Sequence, residues 1–233
     1  MMNTILCIET STRPCSVALI HQSKILFHKE EMNGPSHASL LGLFVKEAME
    51  CAKAQKVNLE AVAVSCGPGS YTGLRIGVAL AKGLCFGLHI PLIPIQTLQL
   101  LTVTARQQLQ LLSEPQGLIC PMIDARRMEV YAAIYDENMK EVKKVSADII
   151  DETSYAEYRR GQTFYICGDG AEKCTGVLPD VHCITNIVPL AVNMQPLVEK
   201  AIEKDEIIND PAYFEPFYLK EFVATVSKKN LLG

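Results

Sequence analysis

The order of apolar and polar positions in the first hundred residues reads as three strands, a helix, a strand, a helix, a strand and a helix. "TILCIE" and "CSVALIH" are short apolar runs rich in β-branched residues, parted by the polar "TSTRP". "KILFHKEE" follows after Gln22 and Ser23, so the chain opens as an antiparallel meander. In "SHASLLGLFVKEAMECAKAQ" the residues Leu40, Leu41, Phe44, Val45, Ala48 and Met49 recur with a helical period, and Ser36 is placed to cap the helix. "LEAVAVSC" is a run of small and β-branched residues that predicts a strand buried on both faces. A glycine-rich loop and helix, the strand "IPLIPIQ" and the helix "TLQLLTVTARQQLQLL" complete the series.

The pattern then restarts. "LICPMID" and "MEVYAAIYD" flank the loop "ARR", "KEVKKVSADII" supplies a third strand, a polar helical segment covers roughly 153–160, and "TFYICGDG" is a strand ending in Gly-Asp-Gly. "CIETSTRPCSVALIHQ" parallels "MIDARRMEVYAAIYDE", with Glu9 and Asp124 closing the respective first strands, and "AVSCGPGS" parallels "FYICGDGA". Two such units predict a duplicated α/β fold whose second copy is shorter. The expected division is 1–105 for the first lobe, 106–215 for the smaller second lobe, and 216–233 for a C-terminal segment that packs back on the first.

"VSCGPGSYTGLRIGVALAKGL" holds Gly67, Gly69, Gly73, Gly77 and Gly83. A phosphate-binding P-loop requires G-x-x-x-x-G-K-[ST], which is absent, and Gly67-x-Gly69-x-x-x-Gly73 is one residue too long for a dinucleotide fingerprint. Close packing is the alternative use of glycine. Gly73, Gly77 and Ala81 recur every fourth residue and form a smooth ridge on a helix that is apolar nearly all round. Such a helix must be covered on both faces. Periodicity leaves open whether the second cover is the chain itself or a partner.

Composition narrows the classes. Of 233 residues 48% are hydrophobic, which indicates a folded core, and the net charge of −4 leaves no basic track for nucleic acid. Nine cysteines, an odd number without a C-x-x-C pair, read as reduced buried thiols of a cytoplasmic protein. The longest apolar stretch, "GLCFGLHIPLIPI", is too short and too broken by His89, Pro91 and Pro94 to span a bilayer.

"GPGSYTGLRIGVALAKGL" resembles the central motif of the bacterial TsaB (YeaZ) family. "ILCIETSTRPCSVALI", "MIDARRMEVYAAIYD" and "EPFYLKEFVA" resemble that family's first-lobe opening, second-lobe opening and C-terminal element, with Lys220 in the place of an arginine, Glu9 in that of a frequent Asp and Tyr71 in that of a frequent Phe. The resemblance implies an actin-like ATPase fold of the sugar kinase/Hsp70/actin type, made of two RNase H-like lobes with the second reduced. It implies a non-catalytic role beside TsaD, the subunit that transfers the threonylcarbamoyl group to a tRNA adenosine next to the anticodon. TsaE joins the larger complex, tRNA is reached through it, and the chain alone forms a homodimer. The implied interface is the glycine-rich helix and the one before it, with Leu40, Phe44, Gly73, Leu74, Arg75, Gly77, Val78, Ala81 and Lys82.

Catalytic chemistry has little to stand on in the residues. His37 is followed four residues later by Leu41, so one imidazole replaces a metal-binding pair, and no H-E-x-x-H supports a glycoprotease-like metallopeptidase. Ser70 lacks the surroundings of a nucleophile elbow. A nucleotide of the actin-like type would meet Glu9, Thr10, Ser11, Thr12, Gly67, Gly69 and Asp124. With Arg126 and Arg127 in place of a hydroxyl or glycine in the second loop, no cofactor is expected, weak nucleotide binding stays open, and an active ATPase or kinase is the alternative reading.

Overall fold

The computed structural model describes residues 2–32, 34 and 37–220. Strands β1 (Thr4–Glu9), β2 (Cys15–His21) and β3 (Lys24–Glu31) form the meander. They are followed by α1 (His37–Ala54), β4 (Ala61–Gly67), α2 (Tyr71–Leu88), β5 (Leu92–Gln96) and α3 (Thr97–Leu112). The expected cap Ser36 lies outside the described residues. The second unit comprises β6 (Leu118–Asp124), β7 (Glu129–Tyr135), β8 (Glu141–Ile149), α4 (Ala156–Arg159), β9 (Phe164–Cys167) and β10 (His182–Ile184), and α5 (Gln195–Glu203) follows.

The two sheets have orders β3-β2-β1-β4-β5 and β8-β7-β6-β9-β10. In each, the first three strands are antiparallel, and the fourth and fifth continue parallel to the first. This is the RNase H-like topology twice over, so the chain has the duplicated unit that the echo in the sequence implied and the two-lobed actin-like architecture that the family resemblance implied.

Burial explains the patterning. Alternate residues of a strand face opposite sides of a sheet. Leu6, Ile8, Val62 and Val64 meet Leu41, Phe44 and Val45 of α1 and Val78 and Ala81 of α2. Ile5, Cys7, Ala61 and Ala63 turn the other way, toward Leu100 and Val103 of α3 and Leu197 and Val198 of α5. Helix α3 is shared: Leu98, Leu101 and Ala105 join Ile119, Ile123, Ala133 and Tyr135 of the second sheet. The boundary expected at 105/106 therefore falls inside a helix that both sheets need. The chain also returns to the first sheet earlier than 216, because Ala191, Met194 and α5 fill that sheet's core and Ile208 exchanges backbone hydrogen bonds with Leu92. Among the described residues the outer face of the second sheet is covered by short pieces bearing Tyr155, Cys174 and Leu178, in place of the paired long helices of the first lobe.

Candidate functional site

The loops after β1 and β6, the loop after β4 and the C-terminal segment converge at one end of the molecule. Glu9 ends β1 fully buried. Its Oε1 accepts the Ser11 N–H at 2.6 Å and the Ser11 hydroxyl at 2.5 Å, and its Oε2 is bonded to the Ser65 hydroxyl. Loss of solvent pushes the Glu9 carboxyl from 4.5 up to about 7 against the opposing pull of these hydrogen bonds. The Thr10 hydroxyl donates to the Gly73 carbonyl at 2.8 Å. The Ser11 carbonyl accepts the Ser70 N–H at 2.6 Å. Thr12 is buried and its hydroxyl has no partner among the described residues. Thus Glu9, Thr10 and Ser11, three of the residues expected to meet a nucleotide, are engaged inside the protein.

The glycines divide by face. A Cβ at Gly69 would overlap the Ser11 carbonyl oxygen, one at Gly73 the Thr10 carbonyl oxygen, and one at Gly77 the Thr10 hydroxyl. Gly67 has φ +118°, a conformation reserved for glycine, and lies under the Phe217 carbonyl. Gly73 and Gly77 are therefore covered by the chain's own β1 loop, and Ala81 is buried in the first lobe's core. Leu74, Gly77, Val78 and Ala81 are buried in the first lobe, as is Phe44, and Leu40 is half-buried. Arg75 is exposed and donates to the Tyr71 hydroxyl at 2.6 Å, while Lys82 donates to the Phe214 carbonyl at 2.9 Å. Among the residues assigned to an interface, burial by the protein itself removes most of the side chains from a partner's reach.

The opposite face of α2 is open. Phe86 is 79% exposed, and Ala79, Gly83 and Gly87 accompany it on the solvent side. A Cβ at Gly83, at Gly87 or at Gly42 of α1 would meet nothing. Leu43 of α1 is exposed as well, and Ile76, Leu80 and Leu84 form a half-buried row between this face and the core. Glycine inside a helix costs about 1 kcal/mol against alanine, and no contact within the described chain offsets that at Gly42, Gly83 or Gly87.

In the second lobe Asp124 ends β6 in an exposed loop. Its carboxylate is paired with the Lys173 ammonium, which also donates to the carbonyls of Arg127 at 2.7 Å and Glu129 at 2.6 Å. Asp169 of the Gly-Asp-Gly turn accepts the Asp124 N–H at 3.0 Å. Arg126 and Arg127 both hold positive φ, at 73° and 50°. The C-terminal segment closes over this end. The Phe217 N–H donates to the Cys66 carbonyl at 2.7 Å, the rings of Tyr218 and Tyr71 lie 4.9 Å apart, and Lys220 pairs with Glu129 of the second lobe. Residues 221–233, the rest of the segment expected to pack back, lie outside the described residues.

The other candidates have structural employment. His37 is buried against the Pro14 carbonyl at 3.0 Å, His21 bonds the Thr4 hydroxyl, and His89 caps α2 in a left-handed conformation. Among the described residues no group of three or more His, Cys, Asp or Glu is arranged to hold a metal ion. Burial raises the Cys66 thiol to about 12, so the helix N-terminus nearby does not yield a thiolate. No described helix is long and apolar enough to cross a membrane.

Comparison with known proteins bears on this arrangement. The family described as "TsaD: tRNA N6-adenosine threonylcarbamoyltransferase" matches residues 30–167. That stretch holds both open helix faces and the loops after β4 and β6. The chain belongs to the TsaD/TsaB (YeaZ) family. The TsaB biosynthesis protein of Bacillus subtilis is 33% identical over 132 residues, covering 57% of this chain and 55% of the relative. Its counterpart in Escherichia coli is 34% identical over 136 residues, covering 58% and 56%. The chain thus matches about half the length of these curated relatives. Among solved structures, YeaZ from Pseudomonas aeruginosa superposes with a TM-score of 0.76 at 25% identity, over 94% of this chain and 100% of that one. A Pseudomonas aeruginosa protein described as similar to peptidase YeaZ gives 0.80 at the same identity and coverage.

In this TsaB-like chain, sequence reasoning missed Ser65, Lys173, Asp169 and the outward residues Gly42, Leu43, Gly83 and Phe86. A signal was present for Gly83: once Leu74, Val78 and Ala81 are taken as the core stripe, the helical period puts Gly77 beside them and Gly83 opposite. No local signal marks Lys173, whose partners are more than forty residues away in the chain.

Proposed function

We propose that this chain is a non-catalytic partner of a TsaD-type threonylcarbamoyltransferase in forming N6-threonylcarbamoyladenosine in tRNA. The observation that carries the reading is the outer face of α1 and α2, where Gly42, Gly83 and Gly87 are open and Phe86 stands in solvent. Exposed helix glycines lower helix stability and let another backbone approach closely, and an exposed aromatic is the common anchor of such a contact. Docking therefore uses Leu43, Ala79, Gly83, Phe86 and Gly87, flanked by Arg75, instead of the Gly73–Gly77 ridge. A second copy of the chain covers the same face when the transferase is absent. TsaE joins the assembly, and tRNA is reached through it, in keeping with the net charge of −4. The buried thiols suit a cytoplasmic setting.

Internal bonding at the strand-end loops supports the absence of catalysis. Thr10 and Ser11 spend their hydroxyls on Gly73 and Glu9, and Lys173 sits on Asp124 where an actin-like ATPase would keep a carboxylate for magnesium and water. The test is reconstitution with TsaC, TsaD, TsaE, threonine, bicarbonate, ATP and tRNA. Threonylcarbamoyladenosine is expected only when this chain is present, and Phe86→Asp is expected to abolish both product and TsaD binding while leaving the fold intact. Equal product without the chain overturns the proposal. Magnesium-dependent ATP turnover by the chain alone, lost in Asp124→Asn, would install the ATPase reading instead.

A further inference from the structure

The two lobes are joined in two unlike ways. Helix α3 is buried between the sheets, with Leu98, Leu101 and Ala105 among Ile119, Ile123 and Ala133. Helices α1 and α2 pack instead on the first sheet and on each other, and the run 214–220, which is neither helix nor strand, crosses from α2 to the second lobe. The Phe214 carbonyl accepts the Lys82 ammonium at 2.9 Å, the Phe217 N–H donates to the Cys66 carbonyl at 2.7 Å, and the Tyr218 ring lies 4.9 Å from that of Tyr71. Tyr71 and Lys82 share one stripe of α2 about three turns apart, so the run lies antiparallel to the helix. A Cβ at Gly67 would come within 2.5 Å of the Phe217 carbonyl oxygen, so the loop after β4 provides a seat that only glycine leaves open. Beyond it Lys220 reaches the carboxylate of Glu129. The Glu129 backbone is fixed in the second lobe: its carbonyl accepts the Lys173 ammonium at 2.6 Å and the Ala125 N–H at 3.1 Å, and its N–H donates to the Arg126 carbonyl at 3.1 Å.

We propose that residues 214–220 form a releasable clasp between the lobes, with α3 as the hinge. Closed, the clasp has Lys220 on Glu129 and fixes the loop after β4 and the first turn of α2 relative to the second lobe. Breaking the ion pair lets the run withdraw together from the Cys66 carbonyl and the Tyr71 ring. The fastening is light enough to open. Glu215, Phe217 and Lys220 are exposed, and the Lys220 side chain keeps 46% of its surface in water. An ion pair so exposed contributes little and is screened by salt. A segment with few buried contacts and solvent-facing backbone opens locally, without unfolding the core. The hinge side is the opposite case, since α3 is buried in the cores of both sheets. The clasp is a property of this chain alone and does not depend on partner docking.

The test is native-state amide exchange of the full chain, read by NMR at the Phe217 N–H, with the Val62 N–H on the Pro91 carbonyl as the core reference. Phe217 is bonded to the first lobe and Glu129 belongs to the second, so a response of one to the other reads the tie between them. Lys220→Met and Glu129→Gln are each expected to speed exchange at Phe217 by roughly two- to fivefold and to leave Val62 unchanged. The double variant is expected to match the single ones, because the second substitution finds the pair already broken. Sodium chloride at about 1 M is expected to speed Phe217 exchange in the wild type and not in Lys220→Met. Wild-type exchange at Phe217 in either single variant would show a run held by the first lobe alone and overturn the proposal. So would equal acceleration at Val62, effects that multiply in the double variant, or a salt response that persists in Lys220→Met.

Discussion

Replacing Glu9 by Gln should change how the stability of this protein responds to pH. Burial carries the Glu9 carboxyl from 4.5 in the open chain to about 7 in the fold. Below pH 4.5 both folded and unfolded chains hold the proton, and the native state keeps its full advantage. Between pH 4.5 and about 7 the unfolded chain gives up the proton while the folded one retains it, so stability falls as pH rises. Above that the native carboxylate is ionised with no cation beside it among the described residues, and the loss is complete. At about 1.4 kcal/mol per tenfold change, the separation of the two values corresponds to roughly 3 kcal/mol. Glutamine preserves the shape: its carbonyl accepts from Ser11 and its amide donates to Ser65, and it cannot ionise. The advantage of Glu9→Gln over wild type should therefore grow by roughly 3 kcal/mol between pH 4.5 and about pH 8. For a chain of this length that equals roughly 6–12 °C in melting temperature. Urea or thermal unfolding of both proteins across that range reads it directly. A difference that stays flat within about 0.5 kcal/mol would refute the buried neutral carboxyl.

Three further outcomes follow from the same geometry. Gly77→Leu drives a side chain into the Thr10 hydroxyl and is expected to cost about 3 kcal/mol or more, whereas Gly83→Leu, facing solvent, should change stability by less than about 1 kcal/mol and block the transferase; urea unfolding paired with a binding assay separates the two. Lys173→Met strips the donor from Asp124 and from the carbonyls of Arg127 and Glu129, and a loss of about 1–3 kcal/mol is expected in chemical denaturation, with no loss marking the ammonium as dispensable. Thiol labelling of the native protein should modify Cys51 and Cys183 first, since the other seven cysteines are buried, and rapid labelling of Cys66 in an intact protein would contradict its raised pKa.

Much of this protein is legible in the order of its residues. The meander, the long helices and the doubled unit follow from periods of 2 and 3.6, because a strand between two helical layers must be apolar on both sides and a surface helix only on one. "TLQLLTVTARQQLQLL" reads as a helix from end to end, and the motif around "GPGSYTGLRIG" points to the family. What each glycine is for could not be read there. Gly73, Gly77 and Gly83 look alike along the chain, and periodicity says only which share a face. The approach of the β1 loop to within overlap of a Cβ at Gly73 and Gly77, and the empty space at Gly83, arise from segments some sixty residues apart meeting in three dimensions. The same holds for Lys173 on Asp124 and for Glu9 between Ser11 and Ser65. Local sequence sets propensity and burial pattern, whereas charge pairing, desolvation and close approach depend on distances between remote segments, and those distances exist only once the two sheets have closed on α3.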